Sequence, residues 1–148
     1  MMADGQNKAL VGRYFKEIWD GGNIDAVDGL LTSDFLRHGP PPTEGEIRGR
    51  DGLKRLVTMY RSSYPDLVVP IEDQVAEGDK VVTRWTARGT HRGELMGTAP
   101  TGKQIVVPGV LIDRVVGGQI AEEWASYDAL GMLQQIGALP TLGEAGKA

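Results

Sequence analysis

At Pro65 the spacing of apolar residues changes from three-and-four to two, and the new spacing holds as far as Tyr127. Before the break the pattern is helical. From Lys8 to Trp19, Leu10, Val11, Tyr14, Phe15 and Ile18 fall on one face; Asp4 can cap that helix and Gly21-Gly22 stops it. Asn23 can cap a second, shorter helix with the stripe Ile24, Val27, Leu30 and Leu31. A third carries Leu53, Leu56, Val57 and Tyr60. Between the second and third lies Asp34-Phe35-Leu36-Arg37-His38, followed by Gly39 and three prolines. Proline lacks the N–H that helices and central strands need, so 39–49 reads as a loop.

After the break the chain reads as four strands. Leu67 to Val75 is the first, with Glu77-Gly78-Asp79 as its turn, and Val81 to His91 is the second. A glycine-rich loop runs from Arg92 to Lys103. Ile105 to Val116 and Ile120 to Tyr127 follow, joined at Gly117-Gly118, and Asp128 can cap a last helix ending at Gly137. Helices first and a meander of strands afterwards predict one α+β domain over 1–148, with an ordered core of about 5–139 and a loose tail. The third of these strands is apolar on both faces: Ile105, Val107 and Leu111 on one, Val106, Val110 and Ile112 on the other. Helices can cover only one of them. A partner subunit on the outer face of the sheet, hence a homodimer, is the expectation.

Composition removes several classes of function. There is no cysteine, so disulfides, thiolate nucleophiles and cysteine metal sites are excluded, and two separated histidines make a poor metal site. A net charge of -4 without a Lys/Arg cluster offers nothing to nucleic acid. No window resembles a membrane span or a leader, so a cytoplasmic protein is expected. Gly97 to Lys103 has the glycine and lysine spacing of a phosphate loop. Gln104 stands where the metal-binding hydroxyl should be, and a β run follows, so that reading fails. No Gly-x-Ser-x-Gly elbow or dinucleotide fingerprint occurs.

Several segments, in order, carry a family likeness: Tyr14-Phe15 with Trp19 and Gly22-Asn23; Glu77-Gly78-Asp79-Lys80-Val81-Val82 leading to Arg84-Trp85; Gly89 to Gly97 with Pro100-Thr101-Gly102-Lys103; Gln119 to Trp124; and Leu133 to Gly137. The chain resembles the SnoaL-like polyketide cyclases from about Asn7 to Gly137. The resemblance implies the cone-shaped α+β barrel shared with nuclear transport factor 2 and ketosteroid isomerase. In that fold a curved antiparallel sheet with three or four helices encloses a hydrophobic pocket. In the cyclases a carboxylate on the last strand is the acid/base of an aldol ring closure. Its place here is taken by Ala125, and a histidine of the preceding strand is replaced by Leu111. Neither can move a proton.

Strand alternation then nominates other groups. If Gly118 is the left-handed residue of a bulged turn, the last hairpin pairs Leu111 with Ala125 and Asp113 with Glu123, on the face of the family's catalytic position. Arg114 and Glu122 pair on the opposite face. Two inward carboxylates repel, so one keeps its proton to higher pH, which suits acid/base catalysis. The competing reading leaves both hydrated where the sheet frays near the turn. His38, at the proline loop, is expected on the pocket's lip as a general base, or else solvated, while His91 reads as structural. Tyr14 could hydrogen-bond a substrate oxygen. Trp19, Tyr60, Trp85 and Met96, with Leu111 and Ala125, would line the cavity or simply pack the core.

The reading is a single SnoaL-like domain binding a small apolar, oxygenated molecule. It would perform proton transfer (isomerisation, hydration or dehydration, epoxide opening or cyclisation) with Glu123, His38, Asp113 and Tyr14 and no cofactor. The alternative is a non-catalytic binding protein for a hydrophobic metabolite, which the loss of the carboxylate at Ala125 favours.

Overall fold

The computed structural model describes residues 4–141. Helix α1 (Asp4–Arg13) passes without a break into a π-helical segment, Tyr14–Asp20, and Gly22 (φ 67°) turns the chain away. A 3₁₀ turn (Ile24–Ala26) leads into the short α2 (Val27–Leu30). Strands β1 (Leu31–His38) and β2 (Glu46–Arg48) precede α3 (Gly49–Ser63). The meander follows as β3 (Ile71–Glu77), β4 (Lys80–Thr90), β5 (Gln104–Val116) and β6 (Gln119–Tyr127). Helix α4 (Ala129–Gln135) closes the fold, with Asp128 accepting from the Gly131 N–H at 2.8 Å. No helix among the described residues is long and apolar enough to cross a membrane.

The six strands form one curved, unclosed sheet in the order β2-β1-β6-β5-β4-β3. The meander is antiparallel as expected, but β1 runs parallel to β6, so the sheet is mixed. Leu31, expected on the stripe of the second helix, opens β1 instead, and residues 32–38, whose spacing shows no element, continue it. They alternate Phe35 and Arg37 inward, and the period is hidden by the charge at the second inward position. The loop expected over 39–49 holds β2, a three-residue edge strand paired to β1. The first meander strand starts at Ile71 rather than Leu67, because Pro70 interrupts the ladder; Val68 makes only an isolated bridge to Arg88. Asp4 lies inside the first turn of α1, and Asn23 makes no side-chain cap. The tail expected to be loose falls partly at 142–148, outside the described residues.

The core lies between the concave face of the sheet and helices α1, α3 and α4. Helix α3 lays Leu53, Leu56, Val57 and Tyr60 against it, all under a tenth exposed. Full burial of each such aliphatic chain stabilises the fold by about 1.5–3 kcal/mol. Burial along β5 alternates strictly from Ile105 to Leu111 and onward to Asp113 and Val115.

The β5–β6 hairpin turns on Gly117 (φ 57°) and Gly118 (φ 79°), a pair of left-handed residues. Its pairs are those expected: Leu111 with Ala125, Asp113 with Glu123, Arg114 with Glu122. The bulge lies one step beyond the turn, where Ala121 is the extra residue between the pairs Val115–Ile120 and Arg114–Glu122. Continuing the turn's register without it would set Glu122 opposite Asp113 and swing Glu123 outward.

Candidate functional site

The concave face and the helices enclose a cavity of about 70 Å³ whose wall is largely apolar. Its polar end is built from three parts of the chain. Strand β1 points Arg37 inward, the proline loop returns Glu44 over it, and the end of β6 supplies Tyr127. Arg37 donates through Nε to Glu44 Oε1 at 2.6 Å and through Nη2 to Glu44 Oε2 at 3.1 Å. Its Nη1 donates to Glu123 Oε1 at 2.7 Å, so one guanidinium bridges two carboxylates. Burial opposes its charge, but Glu44 and Glu123 outweigh that and hold the guanidinium firmly protonated. A fork of planar donors suits this bridge in a way a lysine would not.

On the cavity side, Tyr127 donates to Glu44 Oε2 at 2.5 Å, and the Tyr60 hydroxyl is hydrogen-bonded to that of Tyr127. Burial, then the charge of Glu44, pushes the Tyr60 phenol up to about 12. Burial and Tyr60 push Tyr127 up as well. Both therefore remain proton donors at neutral pH. Tyr60, Tyr127 and Glu44 form a continuous line of hydrogen bonds ending on Arg37.

Behind Arg37 lies a second layer. Tyr14 donates to Glu123 Oε1 at 2.8 Å, and burial followed by the charge of Glu123 raises its phenol. The π-helical segment explains the placement. Its wider turn brings residues five apart onto one face, so Tyr14 reaches Glu123 while the Trp19 ring lies 5.6 Å from the Arg37 guanidinium. Asp113 stands opposite Glu123, fully buried, and neither of its oxygens has a hydrogen-bond partner among the described residues. Burial, then the charge of Glu123, raises its carboxyl. Arg37 and Tyr14 both donate to Glu123 and neither donates to Asp113, so Asp113 is the carboxyl of the two that keeps its proton to higher pH.

Trp19, Tyr60, Trp85 and Leu111 line the cavity. Glu123, Asp113 and Tyr14 are brought together, inward and buried, but one layer behind the cavity wall; the hydrated reading of the two carboxylates is wrong for this arrangement. Three placements differ from expectation. His38 is on the outer face, not the pocket's lip: it sits beside Trp124 in register, stacks on its ring at 5.4 Å and bonds Glu122 at 2.7 Å. Parallel pairing keeps partners on the same side, and Trp124 follows inward Glu123. Met96 is 45% exposed in a turn and does not line the cavity. Ala125 packs half-buried against the core without lining the cavity. His91 is buried, with Nδ1 bonded to Thr101.

Pattern reading passed over Arg37, Glu44 and Tyr127. Arg37 was detectable as the second inward residue after Phe35, had 31–38 been read as a strand. Nothing local marks Glu44, whose place depends on how the proline loop folds back. Among the described residues, no three His, Asp or Glu side chains converge as a metal would require.

The SnoaL-like polyketide cyclase family model matches residues 9–136. Aklanonic acid methyl ester cyclase DnrD of Streptomyces peucetius is 26% identical over 128 residues, covering 84% of this chain and 87% of its own. The crystal structure of a candidate SnoaL-like polyketide cyclase from Jannaschia sp. CCS1 superposes with a TM-score of 0.84 at 27% identity, over 93% of this chain and 95% of that one. A candidate polyketide cyclase from Acidithiobacillus ferrooxidans gives 0.80 at 32% identity, over 92% and 97%. The fold is the cone-shaped α+β architecture of these structures, and the chain belongs to the SnoaL-like polyketide cyclase family.

Proposed function

We propose that this chain is a cyclase-type acid/base enzyme acting on a small apolar molecule that carries a carbonyl group. The observation that supports this is the hydrogen-bonded line Tyr60–Tyr127–Glu44–Arg37, which opens on an otherwise apolar cavity. Ring closure by carbon–carbon bond formation needs a proton removed beside a carbonyl and a donor for the oxygen that becomes negative. In this reading a substrate C–H gives its proton to the Tyr127 oxygen as the phenolic proton passes to Glu44. Tyr60 turns its hydroxyl to the enolate oxygen. Arg37 fixes Glu44, and Glu123 with Tyr14 fixes Arg37 from behind. Asp113, kept protonated to higher pH by its burial, keeps the buried cluster from gathering a further negative charge.

The test uses α-proton exchange of acetone, a ketone small enough for a cavity of about 70 Å³, in D₂O, followed by NMR. The wild-type protein accelerates exchange above buffer, and Glu44→Gln and Tyr127→Phe each lower the enzyme-dependent rate by about 10²–10⁴. Exchange by Glu44→Gln at the wild-type rate refutes the assignment. A protein that binds ketones and accelerates none of them is the non-catalytic binder.

The same proposal includes a second copy on the outer face. Val82, Ile112, Trp124 and His38 form a row across four strands, in register. Val82, Val106, Val110 and Trp124 are each 36–44% exposed there, an apolar face large for a lone domain.

A further inference from the structure

The line Tyr60–Tyr127–Glu44–Arg37 has a neighbour that does not face the cavity. Thr43 precedes Glu44 on the proline loop, is 7% exposed and is not part of the cavity wall. Its hydroxyl donates to the Pro40 carbonyl at 3.0 Å and lies 2.9 Å from the Tyr127 oxygen. Each hydroxyl here carries one hydrogen, and a carboxylate only accepts. Tyr127 therefore gives its hydrogen to Glu44, and the hydrogen between Tyr60 and Tyr127 is the one Tyr60 carries. The hydrogen of Thr43 has two acceptors in reach, the Pro40 carbonyl and the Tyr127 oxygen. Turning from one to the other is a rotation about Cβ–Oγ that moves no heavy atom. The turn does not orphan the Pro40 carbonyl, because the Glu44 N–H also donates to it, at 3.0 Å. Burial, then Tyr60 and Glu44, raise the Tyr127 phenol, and a hydrogen bond from Thr43 lowers it.

We propose that Thr43 is a positioning residue of the relay, whose hydroxyl hydrogen turns from the Pro40 carbonyl to the Tyr127 oxygen as Tyr60 turns to the substrate. This role rests on reading the line as the proton path and deepens it. When Tyr60 donates to the enolate oxygen, Tyr127 loses the hydrogen bond it had accepted, just as its phenolic proton passes to Glu44. Negative charge gathers on the Tyr127 oxygen until the substrate proton arrives there, and Thr43 supplies the missing donor. The substrate C–H bond breaks and leaves its electron pair in the enolate; one O–H bond forms on Tyr127 and another on Glu44. Thr43 keeps its own proton throughout. Position 43 needs a hydroxyl for this and has no need of the methyl.

Acetone α-proton exchange, resolved into kcat and KM, tests this on the full chain. Thr43→Val keeps the volume of the side chain and removes its hydroxyl. It lowers kcat about tenfold, the equivalent of about 1.4 kcal/mol, and leaves KM within about twofold, because Thr43 does not face the ligand. Thr43→Ala, which makes no steric demand on the loop, gives the same loss. Thr43→Ser keeps the hydroxyl alone and exchanges within about twofold of wild type. A residue needed only for packing predicts the reverse, with valine tolerated and serine costly. An unchanged kcat in Thr43→Val and Thr43→Ala, or an equal loss in Thr43→Ser, overturns the role of Thr43. Glu44→Gln separates the two readings. Exchange that Glu44→Gln abolishes and Thr43→Val leaves intact removes Thr43 and keeps the relay. A wild type no faster than buffer, or Glu44→Gln as fast as wild type, removes the relay and Thr43 with it.

Discussion

Asp113→Val makes this protein more stable, and increasingly so as the pH rises. Asp113 is fully buried, its two oxygens have no partner among the described residues, and the carboxylate of Glu123 faces it across the hairpin. Valine is similar in volume, suits a strand and needs no hydrogen bond. Removing an unpaired buried polar group recovers about 1–3 kcal/mol. For 148 residues the unfolding entropy is about 0.3 kcal/mol/K, so the gain corresponds to roughly 3–10 °C in Tm. The sign of the pH dependence follows from where the proton is held. Burial and Glu123 raise the native carboxyl of Asp113 above its unfolded value. Between the two values the native state binds more protons than the unfolded one. Wild-type stability therefore falls with rising pH, by at most about 1.4 kcal/mol per unit from this group. The valine variant lacks that slope, and other titrating groups largely cancel in the difference. Urea denaturation of both proteins at pH 4.5, 6 and 7.5 measures it. A difference that stays constant with pH, or a variant less stable than wild type at pH 7.5, refutes the argument that Asp113 holds a proton in the native state with no N–H or hydroxyl donating to it.

Three further outcomes follow from the geometry. Gly109→Ala drives a methyl into the Trp85 ring, 2.2 Å from Cζ2, and costs about 1–3 kcal/mol in urea denaturation; a variant as stable as wild type removes that contact from the core. His38→Ala removes a partner of Glu122 on the outer face and leaves acetone α-proton exchange within about twofold of wild type; a tenfold loss would return His38 to the reaction. Val110→Lys places a charge in the exposed apolar row and converts a dimer to a monomer in light scattering; an unchanged mass in both proteins removes the second copy from that face.

Much of the site's second layer is legible in the amino-acid sequence. Asp113 and Glu123 follow from alternation and the two glycines of the turn, since a period of two leaves only the register to choose. The cavity aromatics Trp19, Tyr60 and Trp85 follow from helical and strand faces in the same way. The bulge that secures the register lies at Ala121, beyond the turn, and nothing in Gln119-Ile120-Ala121-Glu122 announces it. The π-helical turn was equally silent, because Tyr14, Phe15, Ile18 and Trp19 also satisfy an α-helical stripe. Only the wider turn brings Tyr14 and Trp19 to Glu123 and Arg37 together.

The amino-acid sequence by itself determined the order of elements, the inward face of each meander strand and the pairing of the last hairpin. These depend on local periodicity and turn chemistry, which act between near neighbours in the chain. The tertiary structure alone decided that β1 lies parallel to β6, which sends Arg37 inward beside Glu123 and His38 outward beside Trp124. It also decided that Glu44 closes on Arg37 and Tyr127, which is 83 residues away. Parallel pairing and loop return are settled by burial and by the need of a buried guanidinium for carboxylates. Those requirements are met between distant segments, so no local pattern records them.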